Sequence, residues 1–198
     1  GLVTYLADVD VDFQRKVGHD EDGPPVEITL VSPGIVREYL SSMGDESLVG
    51  RVREFTGAIA TRRDLEAVQD SSLVFLGNHL ANHYSTLTLG KEELSEQYSR
   101  NQSLLNHYAN ARPMFAYPHG RFRPIQNDLL GSLGAEAIFY SSEGINRRGS
   151  DRFYNRLSVD SHMTCVEDLV GQIRWVEFRR SMNWDYRGDL GGCCVNGP

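Results

Sequence analysis

Two histidines, His79 and His83, stand four residues apart in the stretch Gly77-Asn78-His79-Leu80-Ala81-Asn82-His83. On one helical turn that spacing brings both rings to the same side, where their nitrogens suit one divalent ion, zinc or a similar metal. The pair equally suits a bland arrangement, with His79 capping a strand and His83 hydrogen-bonded in the core. A second stretch, Arg112 to Arg121, closes on Pro118-His119-Gly120. This is a turn whose backbone N–H groups can face a substrate oxygen. Near the start, Asp8, Asp10 and Asp12 alternate with Val9 and Val11, and on an extended strand that alternation places three carboxylates on one side.

These residues need elements to position them. Leu2 to Phe13 reads as a strand, His19 to Pro25 as a loop, and Val26 to Val31 as a short strand ahead of the Ser32-Pro33-Gly34 turn. Helical spacing follows at Ile35, Val36, Tyr39 and Leu40, and again at Leu48, Val49, Val52 and Phe55. Thr61 with Asp64 has the form of a capping box, and it predicts a helix that turns Leu65 and Val68 inward. Ser72 to Leu76 is an apolar run suited to a buried strand that delivers the histidine stretch to a loop. The pattern then predicts a helix over 91–108, a strand over 114–117, a helix over 125–133 and a strand over 135–141. Thr164 with Glu167 is a second capping box, opening a closing helix with Leu169, Ile173, Trp175, Val176 and Phe178. Strand and helix alternate, so the expected fold class is α/β, with a parallel sheet or barrel and helices outside. In such folds the loops after the strand C-termini carry the chemistry. The expected organisation is a single domain over residues 1–198, with 186–198 a loose tail.

Taken together, the order and spacing of these stretches resemble the polysaccharide deacetylase (NodB-homology) family, where a strand leads into a Gly-Asn-His-X-X-X-His metal motif. A Leu-Thr segment and a Glu-rich helix usually follow there, as in Leu87-Thr88-Leu89-Gly90-Lys91-Glu92-Glu93-Leu94. Phe115 to Gly120 matches the family's Phe-Ala-Tyr-Pro-Tyr-Gly except that His119 replaces the tyrosine. Thr61 to Leu65 is similar to the helix before the histidine motif, and Leu133-Gly134 and Asn155-Arg156-Leu157 to later landmarks. The resemblance implies a distorted (β/α) barrel that removes an N-acetyl or other acyl group from a sugar or polysaccharide. It implies that His79 and His83 hold a divalent metal, usually zinc, with a carboxylate as third ligand. A carboxylate base then activates the metal-bound water, and the His119 backbone N–H receives the oxyanion. Tyr117 and Pro118 would shape the acyl pocket.

One departure is large. The family's Thr-Phe-Asp-Asp-Gly motif, source of the base and the third ligand, does not occur in the sequence. Either the first strand lies upstream of Gly1 and residues 1–6 correspond to the second, or Leu2 to Asp10 is a diverged first strand. In the second case Asp8 stands in as base and Asp10 as metal ligand. The former leaves two metal ligands and no base, and so implies a catalytically inactive domain that binds carbohydrate or serves as a scaffold. The arginine that supports the base in the family is also replaced, by Ala116, and Arg121 or Arg156 are the candidates to compensate, Arg156 from the substrate side.

Composition narrows the partners. A formal charge of -7, with Lys16 and Lys91 the only lysines, leaves no broad cationic face for nucleic acid. No apolar run reaches the roughly 18 residues of a membrane span, and no signal peptide is visible in the chain as given. Three cysteines, Cys165, Cys193 and Cys194, cannot form a full disulfide framework. His19, His107 and His162 have no motif around them. Tyr5, Phe13, Tyr84, Trp175 and Trp184 suit sugar stacking, but core packing is the simpler expectation for each.

Overall fold

Four short strands form one sheet in sequence order, all parallel: β1 (Leu76–Asn78), β2 (Ala111–Ala116), β3 (Ala137–Tyr140) and β4 (Phe153–Asn155). The computed structural model describes residues 2–18, 26–43, 47–57, 59–141, 146, 152–156, 163 and 165–182. Within these the chain is α/β, as the strand–helix alternation predicts.

The N-terminal part is helical: α1 (Leu2–Asp8), α2 (Val11–Lys16), α3 (Pro33–Ser42), α4 (Ser47–Thr56) and α5 (Arg62–Val68). The expected strand over Leu2 to Phe13 is therefore corrected to two helices. Val3, Leu6, Ala7, Asp10 and Phe13 are the buried residues there, apart from Tyr5, and their spacing of three and four is helical. The aspartate alternation that suggested a strand is instead a helix end, Asp8, followed by a cap, Asp10, and a first-turn acid, Asp12. Val26 to Val31, expected as a strand, contains a single 3-10 turn at Ile28–Leu30. α3 begins as its residues dictate, with Ser32 capping the Ile35 N–H and Pro33 in the first turn. The Thr61–Asp64 capping box is present at the start of α5, though Leu65 and Val68 are only half-buried.

α6 (Lys91–Leu105) connects β1 to β2, and α7 (Ile125–Ser132) connects β2 to β3. The predicted helices and strands of this half match the structure to within a few residues at each end. β1 is the exception. Leu73, Val74 and Phe75 are exposed, and the paired strand starts only at Leu76. α8 (Val166–Ser181) is the closing helix; Val176 is buried, whereas Trp175 and Phe178 stack on each other at 5.7 Å on its exposed side. Thr164, Cys193, Cys194, Trp184, His19 and His162 lie outside the described residues, and Cys165 is exposed with a free thiol.

One continuous core joins the N-terminal helices to the sheet, running from Leu6, Phe13 and Tyr39 through Leu80, Tyr84 and Leu94 to Phe115, Tyr117 and Ile138. Tyr5, Phe13 and Tyr84 belong to it. α1 packs on α2, on α4 and on the turn Ile28–Leu30, which in turn meets the 3-10 turn Thr86–Thr88 after the histidine stretch. The N-terminal helices thus brace the loop that follows His83. No described helix is long and apolar enough to cross a membrane.

Candidate functional site

The residues singled out by their chemistry gather at the C-terminal ends of the strands. His79 follows β1 directly, His119 lies in the turn after β2, Ser141 follows β3, and Arg156 follows β4. Such an edge is where parallel α/β folds expose side chains free of the ladder.

Several local features fix the first loop. Leu76 pairs with Ala111 and Asn78 with Phe115, so the register slips between them, β2 advancing four residues where β1 advances two just before His79. Gly77 gives the close approach room there, because a Cβ would lie a tight 3.3 Å from both Cβ and O of Met114. Asn78 is buried and fully used. Its Nδ2 donates to Tyr98 O at 3.0 Å and Gln102 Oε1 at 3.2 Å. Its Oδ1 accepts from Leu80 N and from Asn101 Nδ2, both at 3.1 Å. Gln97 adds another tie from α6, its Oε1 accepting the Asn82 N–H at 3.1 Å. The loop is thereby bound to α6, and Leu80 and His83 take left-handed backbone conformations with φ of 65° and 58°.

The second loop is joined to the first through Thr86. Its Oγ1 donates to Arg121 O at 2.7 Å, and its carbonyl accepts from Gln126 Nε2 at 2.7 Å. His119 and Gly120 are both left-handed, with φ of 56° and 65°. A Cβ at Gly120 would fall 2.4 Å from Ser141 Cβ, so this turn presses on the end of β3 and only glycine fits. Tyr117 is buried, stacked on Phe122 at 4.8 Å, and its hydroxyl donates to Asn127 Oδ1 at 2.8 Å. Tyr117 and Pro118 support the turn from beneath.

Three imidazoles result, edge to face. The His79 and His83 ring centroids are 4.8 Å apart, and those of His83 and His119 are 4.5 Å apart. His79 Nδ1 donates to Ala116 O at 2.7 Å, which fixes its tautomer and leaves Nε2 as an acceptor. His119 Nε2 donates to His83 O at 3.1 Å, leaving Nδ1 as its acceptor. His83 Nδ1 is buried without a hydrogen-bond partner among the described residues, an arrangement that folded proteins seldom leave without a role. Burial lowers the pKa of all three rings. For His83, burial together with the His119 and His79 rings lowers it to about 4. For His79, burial outweighs the Ala116 carbonyl, and the Arg156 guanidinium acts in the same direction as burial. For His119, burial outweighs the His83 carbonyl and the charge of Asp8. At neutral pH the cluster is uncharged, the state in which imidazole binds metal.

The two acidic candidates part company. Asp8 ends α1, exposed, with its carboxylate near enough for its charge to act on the His119 ring. Asp10 is buried, and its Oδ1 accepts from Phe13 N at 2.9 Å and from Tyr39 Oη at 2.7 Å. Burial, and then this bond to Asp10, raises the Tyr39 pKa. The structure does not bring Asp10 to the imidazoles. Arg156 is held at the rim, Nε donating to Tyr140 O at 3.1 Å and Nη2 to Ser141 Oγ at 2.8 Å. The remaining histidine of note, His107, sits apart on α6's exposed C-terminal end, bonded to Ser103 O.

The donor chemistry fits a divalent ion in two respects, the free Nε2 of His79 and the orphaned Nδ1 of His83. Among the described residues, no three His, Cys, Asp or Glu side chains form a ready-made metal-holding group. No hydrogen bond from the backbone N–H of His119 is found among the described residues. Two roles were not legible beforehand. The clamp of Asn78 on α6 has no signal apart from the histidine motif that contains it, whereas the His119 side chain has one, a third histidine in the turn after the next strand.

No protein-family model, no curated protein and no solved structure matches the chain.

Proposed function

We propose that this site is the metal-dependent hydrolytic centre of a distorted (β/α) barrel of the polysaccharide deacetylase type, removing an acyl group, N-acetyl above all, from a sugar or polysaccharide. The observation that carries the proposal is the pairing of His79 and His83 at the mouth of β1, one ring anchored through Nδ1 and the other with its Nδ1 orphaned. Sequential parallel strands, the first three joined by helices, are also in the order of a barrel wall. His79 and His83 would hold the ion, zinc by donor type. Zinc bound there supplies a Lewis acid and a water of lowered pKa.

The chain's own residues supply the rest. The His119 N–H lies where a turn can stabilise an oxyanion. Arg156, fixed by Tyr140 and Ser141, presents cationic N–H donors suited to sugar hydroxyls. Asp8, exposed at the end of α1 with its charge acting on the His119 ring, would be the carboxylate that takes a proton. The test is acetate release from N-acetylated glucosamine oligomers by the zinc-loaded chain. Hydrolysis lost on chelation and in His79→Ala supports the reading, and no release from any acylated sugar refutes it.

The second reading, a carbohydrate-binding or scaffold domain without activity, is favoured by the commitment of Asp10 to α2 and Tyr39. Glycan binding by metal-free protein, with no hydrolysis, distinguishes it.

A further inference from the structure

The resemblance supplies a carboxylate as third ligand, and the chain's buried candidate for that role, Asp10, is occupied elsewhere. We infer that the His119 side chain supplies the third ligand of this centre, making it a site of three imidazoles. The inference rests on the metal reading above and changes its ligand set.

Distances favour it. An ion about 2.0–2.1 Å from each nitrogen, with tetrahedral angles, holds imidazole centroids about 5 Å apart. The centroids of His79 and His83 are 4.8 Å apart, and those of His83 and His119 are 4.5 Å apart. The two adjacent pairs are thus near the spacing that a common ion would impose, although the three rings as placed do not form a metal-holding group. Convergence on one ion requires the rings to move, and the loops that carry them are tied down by Asn78, Gln97, Thr86 and Gln126.

The hydrogen bonds point the same way. A metal-binding histidine ordinarily donates its other ring N–H to a carbonyl or carboxylate. His79 does so to Ala116 O, and His119 does so to His83 O. Each therefore keeps one acceptor nitrogen, Nε2 and Nδ1 respectively. The left-handed backbone at His119, with φ of 56°, is an unusual conformation for a residue with a side chain, and it is what carries the ring back against His83.

The experiment is zinc binding by the full chain, measured calorimetrically, with cobalt(II) absorption as an independent report of coordination. His119→Asn is the main variant, since asparagine tolerates the left-handed region. His79→Ala is the positive control and Asp8→Asn the competitor. Far-ultraviolet circular dichroism checks folding. The expectation is about one zinc per chain, with affinity lowered by more than about 100-fold in His119→Asn, beyond the range for outer-sphere partners. Asp8→Asn should stay within about tenfold of wild type, the lower end of that range. The cobalt spectrum should lose intensity in His119→Asn as tetrahedral coordination gives way to more water ligands.

Zinc lost in His79→Ala but held normally by folded His119→Asn overturns this inference and leaves the metal reading standing. A zinc-binding defect in Asp8→Asn larger than in His119→Asn also overturns it, by naming the carboxylate as ligand. Wild type that takes up no zinc overturns both. Zinc held through His119 with no acyl hydrolysis sinks the proposed function alone.

Discussion

Replacing Asp10 by alanine separates a structural carboxylate from a metal ligand. Asp10 caps α2 through its bond from Phe13 N, and loss of such a cap costs about 1 kcal/mol. The same oxygen accepts from Tyr39 Oη at 2.7 Å in the core, and a buried hydroxyl left without its acceptor costs about 1–3 kcal/mol more. The expected loss is therefore about 2–4 kcal/mol, a fall in melting temperature of about 4–16 °C for a chain of this length. Asp10→Asn retains a cap and an acceptor oxygen, so it should cost less than about 1 kcal/mol. Thermal unfolding followed by circular dichroism measures both variants, and zinc titration of Asp10→Asn measures the other role. A melting temperature for Asp10→Ala within about 1 °C of wild type would refute the capping argument. So would an Asp10→Asn protein that keeps its melting temperature but loses zinc, because the carboxylate would then be a ligand.

Other expectations follow from the same geometry. Gly120→Ala places a methyl 2.4 Å from Ser141 Cβ at a φ of 65°, and should cost at least about 1–3 kcal/mol; unchanged denaturant unfolding would contradict it. Asn78→Ala deletes four hydrogen bonds and leaves buried partners unpaired, so a loss of about 2–4 kcal/mol and faster amide exchange in 79–83 are expected. Exchange unchanged in that loop would count against the clamp. The His83 pKa falls from 6.5 to about 4 on folding, so the unfolded chain binds more protons between those values. Its contribution to stability is therefore whole above pH 6.5 and lost as pH falls toward 4. The melting temperature should drop over that window, and drop less steeply in His83→Asn; equal slopes for the two proteins would refute the assignment.

How far the residues disclosed the fold depends on the length of each signal. α6 and α7 were visible because their apolar positions recur over several turns, and β2 and β3 because compact apolar runs lie between helices. Short elements were not. Leu2 to Phe13 carries both an alternating and a helical pattern, and the burial of Val3, Leu6 and Ala7 on α1 and of Phe13 on α2 follows the helical one. β1 starts later than the apolar run from Ser72 suggests, because Leu73 to Phe75 are apolar yet exposed. At the site, the histidine pair and the Pro118 turn were legible as neighbours, since both directly follow strands. The partition of the acids was not, because whether Asp8 or Asp10 faces the rings depends on a helix boundary that falls between them.

The left-handed residues Leu80, His83 and His119 have a bearing on engineering. Each such conformation in a residue with a side chain costs about 1–3 kcal/mol, tolerated only where the surroundings enforce it. A library screened for heat tolerance alone should thus accumulate asparagine or glycine first at positions 83 and 119, relaxing the loops as it dismantles the imidazole cluster. Screening for thermostability and ligand retention together should leave both histidines in place and gather its improvements elsewhere.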